Sequence, residues 1–295
     1  MLFVATMTIV VCALMHLGGV GSNALTPTAQ SDALSESKFA IIMGISHYQN
    51  SEMSDLVYAH NDIEAWFRTL QNRQYSISVL SDTRQRSALA RHLGVEECEI
   101  HDATEQVVYR KIDEAVDAIQ RLPPTVRSTF VLTFSSHGDR EVAPSGEVST
   151  GIIAYDNDTG HTTFDNVIRE WELAEKLAPL LLNPNVDVIV VVDACFSGGF
   201  VRKLHQSDVH GNVTVVSAST IDKPAFQVGR LRHSALSWFL TQSLPTFQNE
   251  IAPAVTKAND DWKQFVRTMS KASQAQVDTP SGLFQIYTKN RHISL

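Results

Sequence analysis

The chain has 295 residues, of which 43% are hydrophobic and 19% charged, as is typical of a globular protein with one sizeable core or two small ones. Its formal net charge of -8 at pH 7 counts against a nucleic-acid partner, because a protein that binds nucleic acid carries a basic face. Three cysteines are too few for a disulfide scaffold.

The first 24 residues predict an export signal. Residues 1–21 carry no charged side chain, and the apolar run Leu2–Leu17 is followed by small residues. Ser22 and Ala24 have the small side chains that precede a signal-peptidase site, so cleavage after Ala24 is expected. The alternative is a retained membrane anchor, since the run approaches the length of a membrane span. We therefore expect an exported protein, secreted or periplasmic, that contacts a membrane only if this segment is retained.

Strands and helices alternate through the rest of the chain, in which residues 25–37 predict a linker and residues 38–295 a single domain. Apolar runs predict six strands, at Lys38–Ile45, Tyr75–Leu80, Arg127–Ser135, Val186–Asp193, Val213–Ser217 and Leu283–Tyr287. Helical spacing of apolar residues predicts helices at Leu56–Leu70, Ala103–Leu122, Glu170–Leu182, Ser234–Leu244 and Asp260–Gln276. A small hairpin is predicted at Gly151–Gly160. This alternation predicts an α/β fold, with a mostly parallel sheet between helices.

One strand runs directly into a turn that carries a cysteine. The run Val188–Val192 is apolar and β-branched, as in a central strand that is covered on both faces. Residues 194–199 read Ala-Cys-Phe-Ser-Gly-Gly, and small residues let a backbone turn sharply close to a ligand. Open α/β sheets bind ligands at the carboxyl ends of their strands. Cys195 is therefore a candidate nucleophile.

A histidine follows another apolar strand in the same way. The run Thr129–Phe134 leads into Ser135-Ser136-His137-Gly138. If the two strands are parallel neighbours, His137 and Cys195 meet at one edge of the sheet, where the imidazole can take the proton of the thiol. A buried cysteine acting as a small apolar residue, beside a hydrogen-bonded core histidine, is the simpler alternative for either residue alone.

Four short motifs together resemble those of the caspase-like peptidases, and among these the metacaspase-type branch. They are Phe39–Ile45, Ala59–Ile63, Phe134–Gly138 and Asp193–Gly199, in this order along the chain. The resemblance covers about residues 38–244 and implies the caspase-like (haemoglobinase) fold, with a mostly parallel six-stranded sheet between helices. Residues 38–295 would then be a caspase-like catalytic domain. Ser136 departs from the pattern, since the family usually has glycine before the histidine.

The resemblance implies a cysteine endopeptidase that acts on protein or peptide substrates through a thioester acyl-enzyme. His137 and Cys195 would be its catalytic dyad. The backbone N–H groups of Gly138 and Cys195 would form the oxyanion hole, and a glycine there lets the scissile carbonyl approach closely.

The resemblance also implies an acidic S1 pocket, formed by Asp62, Ser135 and Asp193, with Asp222 as a further candidate. Carboxylates in a partly desolvated pocket would hold the side chain of an arginine or lysine, so cleavage after basic residues is expected. Asp62 has the alternative role of a first-turn residue favoured by the helix dipole. Two other functions stay open: a legumain-like peptidase that cleaves after asparagine or aspartate, and an inactive caspase-like scaffold that binds a partner.

No cofactor and no metal are expected. Many metacaspases are activated by calcium through a cluster of carboxylates, but here Arg202 and Ser149 stand where that branch has acids. Because a hard cation needs several oxygen ligands, preferably anionic, this departure from the branch predicts an enzyme that is independent of calcium. The histidines and cysteines show no close-paired spacing typical of a zinc site. The oligomeric state is left open.

Overall fold

The computed structural model describes residues 36–158, 165–269, 284–289 and 293–295. The strands of these residues are β1 (Glu36–Gly44), β2 (Ser76–Ser81), β3 (Ile100–Asp102), β4 (Arg127–Ser135), β5 (Gly138–Val142), β6 (Val148–Ile153), β7 (Val167–Arg169), β8 (Val186–Asp193), β9 (Asn212–Ser217), β10 (Gln227–Val228), β11 (His233–Ser234) and β12 (Gln285–Lys289). Their α-helices are α1 (Ala59–Gln71), α2 (Arg86–Leu93), α3 (Glu105–Gln120), α4 (Glu170–Leu181), α5 (Gly198–Gln206), α6 (Ala235–Ser243) and α7 (Ile251–Arg267).

The central sheet has the strand order β12-β9-β8-β4-β1-β2-β3. Neighbouring strands are parallel, except that β12 is antiparallel to β9. Successive residues of β8 face different cores, with Val190 and Val192 in one and Ile189 and Val191 in the other. Because both faces are apolar, the middle of the sheet must be covered on both sides. The predicted α/β fold with a mostly parallel sheet is confirmed.

Among the described residues, the central sheet has seven strands rather than the six predicted. The additional strand is β3, which has three residues with only Ile100 buried, and it is too short to show a period in the sequence. Strand β1 begins at Glu36, which is paired with Arg127 of β4, so residues 36 and 37 belong to the sheet and not to the predicted linker. The predicted export signal at residues 1–24 lies outside the described residues.

Helices form a layer on each face of the sheet. Buried residues of α3, α4 and α5 belong to one core, and those of α1, α2, α6 and α7 to the other. The cap predicted for α3 is present, since Thr104 Oγ1 accepts a hydrogen bond from Val107 N. Helix α7 begins earlier than the predicted Asp260, because Pro253 is tolerated in its first turn; residues 270–276 are not among those described. No helix in the described ranges is long and apolar enough to cross a membrane.

A small antiparallel sheet stands beside the carboxyl ends of the central strands. It has the order β5-β6-β7, and Gly138 of β5 is opposite Ile152 of β6. The prediction of a hairpin within Gly151–Gly160 is wrong for the described part, because Gly151–Ile153 pair with β5 and β7 instead. Residues 159 and 160 of that hairpin fall outside the described ranges. The small sheet therefore starts directly after His137.

Candidate active site

The two strand ends that carry His137 and Cys195 lie side by side. Strands β4 and β8 are parallel neighbours with Ser135 opposite Asp193, and Ser136 N donates a 3.3 Å hydrogen bond to Asp193 O. His137 and Cys195 each lie two residues beyond this pair, after the ends of β4 and β8. Both residues line one cavity of about 140 Å³. The structure thus brings the predicted dyad to one edge of the sheet.

Cys195 lies on a tight turn between β8 and α5. The next residue, Phe196, has a φ of 58°, a left-handed conformation that is strained for a bulky side chain. The turn is fixed by Ser219, whose Oγ donates to Ala194 O at 3.1 Å and accepts from Ser197 N at 3.2 Å. This buried pair of serines could not be predicted from a local pattern, since Ser197 and Ser219 are 22 positions apart in the chain.

The Cys195 thiol is half-buried and has a raised pKa. Burial raises the pKa of the thiol most, and the nearby acidic groups of Asp193 and Asp139 raise it further. The Ala225 N–H, 3.3 Å from Sγ, opposes this shift because it stabilises a thiolate. The thiol is therefore protonated at neutral pH and needs a base before it can attack.

His137 is oriented by two residues of the loop between β1 and α1. Its Nε2 lies 2.8 Å from Ser54 O, and because a carbonyl can only accept, Nε2 carries the proton of the neutral ring. The basic nitrogen is then Nδ1. The backbone N–H of His137 donates to Tyr48 Oη at 2.8 Å, and the two rings pack with centroids 5.2 Å apart. Sequence reasoning missed Ser54 and Tyr48, because neither lies in a motif.

Tyr48→Phe is expected to lower both stability and turnover. The substitution leaves the His137 N–H without its acceptor, and losing such a bond costs about 1–3 kcal/mol. Urea unfolding and steady-state kinetics measure the two effects. Tyr155→Phe is the matched control, since it removes a hydroxyl bonded to Thr83 instead of to His137. Equal kcat values for the two variants would show that Tyr48 does not position His137.

Gly138 lies directly against the backbone of Cys195. A Cβ atom built on Gly138 would be 2.1 Å from Cys195 O and 3.1 Å from Cys195 N. Real Cβ atoms do not approach so closely, so only glycine fits here without moving the backbone. The two residues predicted to supply the oxyanion hole are therefore in contact.

Asp193 is a buried carboxyl group that reaches the cavity. Its Oδ2 accepts hydrogen bonds from the backbone N–H and the hydroxyl of Ser237 in α6, at 2.7 and 2.8 Å. Burial and the neighbouring Asp62 carboxylate raise the pKa of Asp193 to about 8. Asp193 also lines the cavity beside Cys195. It is therefore a buried acidic group in the wall of this cavity.

Asp62 is fully buried and, unlike Asp193, does not line the cavity. Its Oδ2 accepts from the hydroxyls of Ser135 and Ser234, both at 2.6 Å. Its Oδ1 accepts from Ser234 N at 3.1 Å and lies 2.9 Å from His233 Nδ1. Ser234 lines the cavity, and Asp62 stands behind it. Asp62 is also an acidic first-turn residue of α1, the alternative position that the sequence suggested.

Asp222 lies apart from the other predicted S1 residues. Its side chain is exposed and accepts a 2.6 Å hydrogen bond from Thr220 Oγ1. It does not line the cavity that holds Cys195.

Among the described residues, no group of three or more histidine, cysteine, aspartate or glutamate side chains is arranged to hold a metal ion.

Comparisons with known proteins identify the family and the fold of this chain. A family model of the caspase domain matches residues 37–284. Similar solved structures include the protein GSU0716 of Geobacter sulfurreducens, with a TM-score of 0.55 and 14% identity over 85% of this chain and 93% of that chain. Caspase-1 of Spodoptera frugiperda has a TM-score of 0.55 and 12% identity over 86% of this chain and 88% of its own. At such identities the structures show the fold alone. No curated protein matches the sequence.

Proposed function

Because this chain belongs to the caspase-domain family of cysteine peptidases, we propose that it is an endopeptidase that cleaves after arginine or lysine through a His137–Cys195 dyad. The observation that carries the proposal is one small cavity lined by His137, Cys195 and the buried acid Asp193. The cavity thus combines a base, a nucleophile and an acidic group for a basic side chain.

The proposed reaction begins with attack on the scissile carbonyl. Nδ1 of His137 takes the thiol proton as Sγ of Cys195 bonds to the carbonyl carbon, whose π electrons move to oxygen. The resulting oxyanion accepts hydrogen bonds from the N–H groups of Gly138 and Cys195. The raised pKa of the thiol makes this proton transfer necessary, because little thiolate forms without it.

The tetrahedral intermediate then breaks down to a thioester. The oxyanion reforms the carbonyl, the C–N bond breaks, and the imidazolium of His137 gives its proton to the leaving amine. Water next attacks the thioester while His137 takes one of its protons, and the C–S bond breaks. The proton returns to Sγ, and a peptide with a new carboxyl terminus is released.

Specificity for a basic residue is supported by the two buried acids. A guanidinium or ammonium group in the cavity would meet Asp193 directly, with Asp62 behind the hydroxyl of Ser234. An entering cation would also favour ionisation of Asp193, since an opposite charge lowers the pKa of a carboxyl group. A P1 aspartate would instead bring a further acidic group next to these two acids. We therefore expect the order of turnover to be basic, then neutral, then acidic.

A panel of fluorogenic peptides with arginine, lysine, asparagine or aspartate at P1 tests the proposal. Each peptide is incubated with the purified protein and with Cys195→Ala, both with calcium and with a chelator. We expect turnover of the arginine and lysine peptides in both conditions, and none with Cys195→Ala. Wild-type protein is expected to need no divalent cation.

The other outcomes distinguish the alternatives. Cleavage only after asparagine or aspartate would keep the dyad but contradict the proposed role of Asp193 and Asp62. Turnover only with calcium would refute metal independence. If no peptide is cleaved in either condition, the protein is a zymogen or a binding scaffold rather than the proposed active enzyme.

A further inference from the structure

The two halves of the proposed oxyanion hole belong to different parts of the molecule. Gly138 opens the small sheet, whereas Cys195 precedes helix α5. These parts meet again where α5 packs on β6: a Cβ atom built on Gly199 would be 1.9 Å from Thr150 Oγ1. A shift of α5 relative to β6 would therefore change the positions of the N–H groups of Gly138 and Cys195 relative to each other.

A buried carboxylate lies at this interface. Glu170, the first residue of α4, is only 4% exposed. It accepts hydrogen bonds from Thr150 N at 2.8 Å and from Ser149 Oγ at 3.2 Å. Burial raises the pKa of Glu170, because a carboxylate loses hydration there. A buried carboxylate of this kind is stabilised by a nearby cation.

Helix α5 supplies that cation through Arg202. The Arg202 guanidinium lies 3.7 Å from Glu170 Oε1 and also donates a hydrogen bond to Val148 O of β6. The same residues line a cavity of about 410 Å³ on this side of the small sheet. Arg202 thus joins the helix that follows Cys195 to the sheet that begins at Gly138. The catalytic mechanism proposed above gives it no role.

We propose that Arg202 is a positioning residue: its guanidinium, held by Glu170 and Val148 O, keeps α5 on the small sheet and so keeps the N–H groups of Gly138 and Cys195 directed at one point. Arg202 touches no reacting atom and acts through the backbone. The effect on catalysis rests on the proposed peptidase function. The effect on the interface between α5 and β6 does not.

The kinetic test compares Arg202→Ala and Arg202→Lys with wild type on an arginine peptide. Displacing one oxyanion-hole donor costs about 100-fold or more in kcat, so partial displacement in Arg202→Ala should lower kcat about tenfold. KM should change less than about threefold, since the S1 acids are untouched. Arg202→Lys keeps the charge and should recover part of the loss. Arg110→Ala, which removes an exposed ion pair with Glu114 on α3, is the control and should match wild type.

Two further measurements separate positioning from loss of structure. A peptide aldehyde forms a hemithioacetal whose oxygen uses the oxyanion hole, so its Ki should weaken in Arg202→Ala by the same factor as kcat/KM. Alkylation of Cys195 by iodoacetamide, followed by mass spectrometry of the peptide, needs no oxyanion hole and should keep its rate. Unchanged kcat and Ki would overturn the proposal, as would a parallel loss of the alkylation rate.

Hydrogen exchange tests the interface even if wild type cleaves no peptide. Amides of β6 and α5 should exchange faster in Arg202→Ala than in wild type or Arg110→Ala, because the contacts of the Arg202 guanidinium with Glu170 and Val148 O are lost. Unchanged exchange would overturn the proposal independently of activity. Absence of wild-type turnover with faster exchange in Arg202→Ala would refute only the proposed peptidase function.

Discussion

Gly138→Ala is expected to abolish peptide turnover while leaving Cys195 in place. The new Cβ would lie 2.1 Å from Cys195 O, so the backbone of Cys195 or of β5 must move away. That movement separates the two N–H groups of the oxyanion hole, and loss of one such donor costs about 100-fold to 1000-fold in kcat. We therefore expect kcat to fall by at least about 100-fold, measured with the arginine peptide.

Gly146→Ala is the matched control for this prediction. Gly146 lies between β5 and β6 in open space, with a φ of 85°, so alanine there strains the backbone by about 1–2 kcal/mol but meets no neighbour. It should keep the wild-type kcat. Circular dichroism and the rate of Cys195 alkylation show whether Gly138→Ala is still folded. Wild-type kcat in a folded Gly138→Ala variant would mean that the two backbones are not in contact in the active enzyme.

The strand ends that carry the dyad could be predicted from the sequence. The apolar runs before His137 and Cys195 are long enough to identify buried strands, and the small residues after them identify sharp turns. Parallel neighbours then necessarily bring their carboxyl ends to one edge. Strand β3 could not be predicted, because its three residues are too few to show the alternation of buried and exposed side chains typical of a strand.

The contacts that hold His137 and Asp62 in place could not be predicted from sequence patterns. Ser54 reaches His137 through its backbone carbonyl, which every residue type has. His233 and Ser234 contact Asp62 across 171 and 172 residues of sequence, through a hairpin whose strands have two residues each. Such contacts depend on tertiary packing, which no local pattern reports. The sequence therefore pointed to Asp62 as an acid but not to its place behind Ser234.

Asp193→Asn is expected to lower turnover of arginine and lysine peptides by about 100-fold, because a buried charge-assisted hydrogen bond to the substrate cation is lost. Cleavage after asparagine, where it occurs, should change much less. Asparagine keeps an oxygen that can accept from Ser237, so the fold should survive. Asp117→Asn, which changes an exposed carboxylate of α3, is the control and should behave as wild type. Equal losses for all P1 residues would show that Asp193 acts on the dyad and not on specificity.

The same substitution should make stability less dependent on pH. The Asp193 carboxyl has a folded-state pKa of about 8, above the ordinary value of 3.8, so the folded protein binds more protons than the unfolded chain between these limits. Its contribution to the free energy of unfolding is then largest in acid and falls as pH rises through the raised pKa. Asparagine does not titrate. Urea unfolding at about pH 5 and about pH 9 should therefore show Asp193→Asn gaining more than about 1 kcal/mol relative to wild type as pH rises. A constant difference would mean that Asp193 is already ionised in the folded protein at both pH values.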